Sequence, residues 1–187
     1  MEDRNIVEEI RKFVEEECNN PASKYGKEPY EFHFVPMVSY AKELAKKQNV
    51  DIELIELAAW LHDIGSIICG RENHHITGAE IAEKKLRELD YSEEKIVIIK
   101  KCIFNHRGSQ LNSLESVEEQ IIADADAMSN FDNIPGIFKA AFMYENKTQG
   151  EAKDSARIKL QNKWNQLSSA SKILVKDKFE AAMILLK

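Results

Sequence analysis

A chain of 187 residues, 43% of them hydrophobic and 31% charged, has the balance of a soluble globular protein and the length of one domain with a sizeable core. Its formal charge of -6 argues against the basic stripe of a general nucleic-acid binder, and no apolar run approaches the roughly 20 residues of a membrane span. The three cysteines, Cys18, Cys69 and Cys102, show no CxxC spacing and fit free thiols better than a disulfide frame or a structural zinc site.

The start, Met1 to Asn5, is acidic and polar, so no signal peptide and a cytoplasmic location are expected. A first helix is predicted over about 4–18, with Ile6, Val7, Ile10, Phe13 and Val14 at helical spacing and a break at Asn19-Asn20-Pro21. A polar loop follows over 20–30. The second helix runs from about Glu31 to Lys47. Pro36 is tolerated only in a first turn, so the helix proper starts near Phe34 and leaves His33 at its N-terminal edge. Asp51 caps a third helix with apolar positions 54, 57, 58 and 61. It ends in Leu57-Ala58-Ala59-Trp60-Leu61-His62-Asp63-Ile64-Gly65, with His62 and Asp63 in its last turn and Gly65 as its stop. Residues 66–73 read as a loop and about His75 to Leu89 as a helix.

Ser92 starts the next helix, with Ile96, Ile99 and Ile103 on one face and His106 at its far end. After a polar loop, Ser116-Val117-Glu118-Glu119 has the pattern of a capping box, opening a helix that carries Ile121, Ile122, Ala125 and Met128. A short apolar helix (Ile137 to Tyr144), a polar link at 146–150 and two further helices complete the chain. Ile158, Leu160, Trp164 and Leu167 are expected to face inward. No period-two strand and no repeat stand out, so the expected class is all-α.

All five histidines, His33, His62, His74, His75 and His106, fall between positions 33 and 106, each at a helix end or in an adjoining loop. Taken singly, each reads as a polar helix terminus. Gathered at one end of a bundle, they read as a ligand or metal site. His62 and Asp63, about 100° apart, can bracket an ion placed near the helix end. Imidazoles with a few carboxylates suit iron, manganese, cobalt, nickel or zinc, whereas purely oxygen sites favour magnesium or calcium. Asp124 and Asp126 lie about 200° apart on a helix, so only one of them can face such a site.

The order His33, then His62-Asp63, then Ala125-Asp126-Ala127-Met128-Ser129-Asn130 resembles the HD superfamily of metal-dependent phosphohydrolases, and Leu61-His62-Asp63-Ile64-Gly65 is similar to the signature of its HDIG-type members. The resemblance spans about 30–145. It implies an HD-domain helical bundle in a single domain over 1–187, with the core at about 30–145 and extra C-terminal helices, about 147–187, packed on it. It implies metal ligands His33, His62, Asp63 and an aspartate, for which Ala125-Asp126 with Asn130 fits the family pattern. Two further histidines in some members match His74, four positions before Gly78, and His106, giving the H…HD…H…H…D subset. The neighbouring alternatives Asp124 and His75 stay open. No GYP motif is present, which separates the chain from the cyclic-di-GMP phosphodiesterases of the superfamily.

The implied cofactor is one or two divalent ions (Mn, Fe, Ni, Co, Zn or Mg), with Asp63 as the candidate bridge. Arg71 and Arg107 are the candidate phosphate-binding cations, because guanidinium forks pair with phosphate oxygens. Asp63, Arg107 and Glu72 are the candidate catalytic residues, Glu72 as general acid or base. The expected function is hydrolysis of a small phosphorylated metabolite, a nucleotide first. The alternative is a non-catalytic HD-type module that binds a nucleotide and regulates. The expected partner is a small phosphorylated substrate rather than a membrane or nucleic acid, and assembly into a homo-oligomer stays open.

Overall fold

The computed structural model describes residues 5–23, 25–106 and 114–187, and among them it forms helices and no strand. Helix α1 (Ile6–Asn19) is capped by Asn5, whose side chain accepts from the Glu8 N–H, and it buries Ile10, Val14 and Cys18 at four-residue intervals. A single π-turn (Tyr30–Phe34), in which the Val35 N–H donates to the Tyr30 carbonyl, leads into α2 (Val35–Gln48). Pro36 stands in the first turn of α2, where its missing N–H costs nothing.

Helix α3 (Ile52–Leu61) is the centre of this part of the molecule. Asp51 caps it by accepting from the Leu54 N–H at 3.1 Å, and Leu54, Ile55, Leu57, Ala58, Ala59, Trp60 and Leu61 are all buried. A helix apolar on nearly every side must be covered on nearly every side. Helices α1, α2 and α6 (Glu93–Asn105) pack against it, and α5 (His74–Glu88) packs against α6 and against the short α4 (Ile64–Cys69).

Helix α4 replaces Gly65 as a helix stop and the first part of the loop expected over 66–73, of which residues 70–73 stay outside helix. Ile64, Gly65, Ser66 and Ile67 are buried. A Cβ on Gly65 would stand 2.3 Å from the His74 carbonyl oxygen and 2.5 Å from the Gly78 nitrogen. The glycine is therefore there for backbone contact between α4 and α5, and the buried isoleucines hold the segment inside instead of letting it loop out.

Helix α7 (Val117–Ser129) follows, with Ser116 Oγ accepting from the Glu119 N–H at 3.2 Å. The return arm of the expected capping box goes elsewhere: the Glu119 carboxylate accepts from the Glu115 N–H and from Asn105. Contacts divide the chain into two compact units, residues 1–123 and 124–187, so the division falls inside α7 and within the expected 30–145 core. In the second unit, α8 (Ile134–Met143) packs on α9 (Gln149–Gln166), which packs on α10 (Ser169–Leu185) with Trp164 stacked on Phe179 at 4.3 Å. A full capping box of Thr148 and Glu151 opens α9. Its buried stripe is Ala152, Ala156 and Leu160, which turns Ile158 outward, 55% exposed, against the expectation that it faces in.

Candidate metal centre

Four histidines and one aspartate of the first unit meet where helices end. His33 lies in the π-turn, His62 is the residue that closes α3, His74 is the first residue of α5, and His106 closes α6. Asp63 stands at the N-terminal cap of α4, a position where aspartate ordinarily accepts from the first turn, yet its side chain makes no capping bond. The carboxylate is turned to the histidines instead. Asp63 Oδ2 lies 3.6 Å from His33 Nε2 and 3.8 Å from His62 Nε2. Oδ1 lies 3.2 Å from His74 Nε2 and 3.6 Å from His106 Nε2. His33 Nε2 and His62 Nε2 are 3.1 Å apart. Two donor groups result, His33-His62-Asp63 and Asp63-His74-His106, sharing one carboxylate.

The rings are oriented from behind. His62 Nδ1 donates to the Ala59 carbonyl at 2.8 Å, His74 Nδ1 to the Arg71 carbonyl at 2.8 Å, and His106 Nδ1 to the Ile103 carbonyl at 2.5 Å. Each bond reaches back three residues. A carbonyl only accepts, so each Nδ1 carries the proton, and the neutral ring presents a lone pair at Nε2. Three such lone pairs therefore converge on a carboxylate oxygen pair, an arrangement that is repulsive without a positive charge at its centre.

Two further features fit a cation there. Asp63 Oδ1 is buried and accepts no hydrogen bond among the described residues, an orphan of a kind that folded proteins rarely leave. Ligand atoms about 2.1 Å from one ion stand roughly 3 to 3.4 Å from each other, close to the separations found here. Burial raises the Asp63 pKa, and hydrogen bonds from His106 and His33 outweigh it and hold the carboxyl well below the usual range while those rings carry a proton at Nε2, the proton that a bound cation would replace. The group is thus an anion even where it is shielded from water. The donor set is nitrogen-rich with one shared carboxylate, which suits borderline divalent ions.

The remaining sequence-predicted residues divide. His75 belongs to neither donor group, and its ring lies 5.2 Å from that of Phe104. Between the adjacent alternatives, His74 is the one brought to Asp63. Arg71 takes part through its backbone carbonyl, while its side chain and that of Glu72 are exposed at the start of α5. Arg107 lies outside the described residues. Asp124 and Asp126 belong to the second unit and differ in what they hold. Asp124 accepts from Ser168 Oγ, Ser171 Oγ and the Ser168 N–H at the start of α10. Asp126 accepts from Lys163 Nζ of α9 at 2.6 Å. Lys100 of α6 is paired with Glu83. The carbonyls of Ala59, Arg71 and Ile103 were not legible beforehand, since a backbone acceptor leaves no mark on residue type; the one available signal is that each histidine sits at a helix end, three residues from a carbonyl it can reach.

Comparison with known proteins follows the same line. The model of the HD domain family matches residues 30–130. A tRNA (cytidine(56)-2'-O)-methyltransferase of Thermoplasma volcanium is 32% identical over 127 residues, 60% of this chain and 35% of that protein. The protein of the same name from Picrophilus torridus is 30% identical over 141 residues, 68% of this chain and 38% of that protein. The chain thus spans little more than a third of the length of these two relatives. The fold is shared with a solved HD-superfamily hydrolase from Bacillus thuringiensis, at a TM-score of 0.71 and 20% identity, over 96% of this chain and 91% of that one. A family match that takes in more than half of the chain, its motif histidines and aspartate included, makes this protein a member of the HD domain family.

Proposed function

We propose that the protein is a metal-dependent phosphohydrolase, cleaving a phosphomonoester or phosphodiester of a small phosphorylated metabolite, with a nucleotide as the first substrate class to test. The observation that carries this reading is the single carboxylate of Asp63 held between two pairs of histidine Nε2 atoms. That arrangement supports two divalent ions: one held by His33, His62 and Asp63 Oδ2, the other by His74, His106 and Asp63 Oδ1. Ions held there would supply a lowered pKa to bound water and positive charge to phosphoryl oxygens.

The chain supplies the rest. Backbone carbonyls fix the rings before any ligand arrives, so little ordering is left to do on binding. Asp63, held well below the usual carboxyl range, would offer one oxygen to each ion. Arg71, at the mouth of α5, and Arg107, next to His106, are proposed to take the phosphate charge that remains, and exposed Glu72 to exchange the proton. The names of the Thermoplasma and Picrophilus proteins concern tRNA, so RNA ends belong among the substrates tried, although the charge of -6 speaks against RNA as the main ligand.

The test is a substrate panel of nucleoside mono-, di- and triphosphates, cyclic and dinucleotides, sugar phosphates and RNA carrying terminal phosphates. Each is assayed with added manganese, cobalt, nickel or magnesium, alongside elemental analysis of the purified protein. Turnover of at least one phosphoester is expected, together with loss of both turnover and bound metal in Asp63→Ala and His62→Ala. Full activity in metal-free Asp63→Ala protein would sink the reading. Nucleotide binding, seen as a raised melting temperature, with no phosphate released from any substrate would favour the regulatory alternative.

A further inference from the structure

His33 differs from the other ligand histidines in what carries it. His62, His74 and His106 sit at the ends of α-helices, whereas His33 sits in the π-turn. Such turns are short and intrinsically weak, and they persist where tertiary contacts hold them. This one is held at its first residue. The Tyr30 carbonyl accepts the bond from the Val35 N–H that closes the turn, and the Tyr30 hydroxyl accepts from Arg11 Nη1 of α1 at 2.6 Å. The Tyr30 ring lies on that of Trp60, with centroids 5.5 Å apart and planes 17° from parallel. Trp60 is two residues before His62 on α3. One tyrosine therefore ties the backbone that presents His33 to the helix that presents His62.

Arg11 is itself fixed. Its Nε and Nη2 donate to the two oxygens of Glu8, and its Nη1 also donates to Glu15, each at 2.8 Å. A guanidinium engaged on every side has few rotamers left, so it acts as a rigid post and not as a tethered charge.

We propose that Arg11 and Tyr30 are positioning residues for one half of the metal centre: through the π-turn they set the separation of His33 from His62, and so the affinity for the ion these two hold with Asp63 Oδ2. The ion held by His74 and His106 is independent of them, because their rings are pinned by carbonyls of their own helix ends. The proposal rests on the two-ion reading above and assigns the two ions different supports.

The experiment is titration of the metal-stripped full chain with cobalt(II), followed by visible absorption and calorimetry, for the wild type, Arg11→Gln, Tyr30→Phe and Tyr30→Leu. His33→Ala, which keeps only the His74-His106 ion, identifies which step is which. Loss of a supporting contact behind a ligand typically weakens metal binding 10- to 100-fold. The expected result is one affinity unchanged and the other weakened about 10-fold in Tyr30→Phe and Arg11→Gln, and further in Tyr30→Leu, which also loses the stack. Tyr30→Phe removes a single hydroxyl and keeps its ring on Trp60, so it answers the question even where Tyr30→Leu does not fold. A lowered melting temperature with an unchanged ratio of the two affinities means a merely structural role and overturns the proposal. Two ions in the wild type and wild-type affinities in every variant overturn this proposal alone. Fewer than two ions in the wild type overturn the two-ion reading and this proposal with it.

Discussion

At the scale of single residues, the centre is built by diverting groups from their usual work. Asp63 occupies a capping position and does not cap, and its oxygens face imidazoles. Asp124 does the opposite. It looks like a ligand by its place beside Asp126, yet it is only 2% exposed, and three donors of the α10 terminus converge on it. Asp124→Ala should therefore behave as the loss of a cap and of a buried acceptor, leaving two hydroxyls without their carboxylate. The cost expected is about 1–3 kcal/mol, read from the midpoint of urea unfolding, with bound metal per chain unchanged. Metal loss at unchanged stability would reverse the assignment. The sequence favoured Asp126 through its pattern with Asn130 but left Asp124 open because both alternate with alanine on one helix, and in the structure serines hold Asp124 while Lys163 pairs with Asp126. The histidines were legible as a set, through their confinement to helix ends. Their protonation was not, because it depends on carbonyls that any residue type supplies.

At the scale of elements, the position of the second donor group depends on how closely α4 and α5 approach. Gly65 and Gly78 are the contact, and His74 is the residue whose carbonyl a side chain at 65 would strike. The clash is with backbone on both sides, so no rotamer change relieves it. Gly65→Ala should push the helices apart, cost about 3 kcal/mol, and carry His74 away from Asp63 Oδ1. Thermal unfolding should show the first effect, and cobalt(II) binding should show the ion at His74 and His106 weakened more than the other. Wild-type stability in the Gly65→Ala protein would mean that α4 can shift freely. Helix α3 was legible from its cap and its apolar period. Helix α4 was not: six residues containing a glycine, between the His62-Asp63 pair and another glycine, carry the local marks of a loop. Their helical form goes with the burial of Ile64 and Ile67 and the packing of α4 on α5, neither of which residue type alone announces. The π-turn was hidden for a related reason, since its closing bond spans five residues and depends on the contacts of Tyr30 rather than on propensity.

At the scale of the whole molecule, composition and periodicity suffice for an all-α chain, because helical spacing repeats in nearly every segment between turn signals. The division at 123/124 had no such signal, since it runs through a helix instead of a linker rich in glycine or proline. The cysteines give a direct probe of the first unit. Cys18 and Cys102 are fully buried and Cys69 is exposed, so a native sample should give one fast thiol per chain with an aromatic disulfide reagent and two that react only as the unit opens. Burial pushes the Cys18 thiol up to about 12 from an ordinary 9.0, and it raises Cys102 as well. The sign follows from proton binding: above about pH 9 the unfolded chain gives up these protons while the folded chain keeps them, so the stability they contribute is whole below that pH and declines toward pH 12. Denaturant midpoints measured from pH 8 upward should fall, and the fall should be shallower in Cys18→Ala, where one of the retained protons is gone even though the starting stability is lower. A parallel fall in wild type and variant would place the alkaline sensitivity elsewhere. Three fast thiols in the native sample would mean that the surroundings of Cys18 and Cys102 are open to reagent.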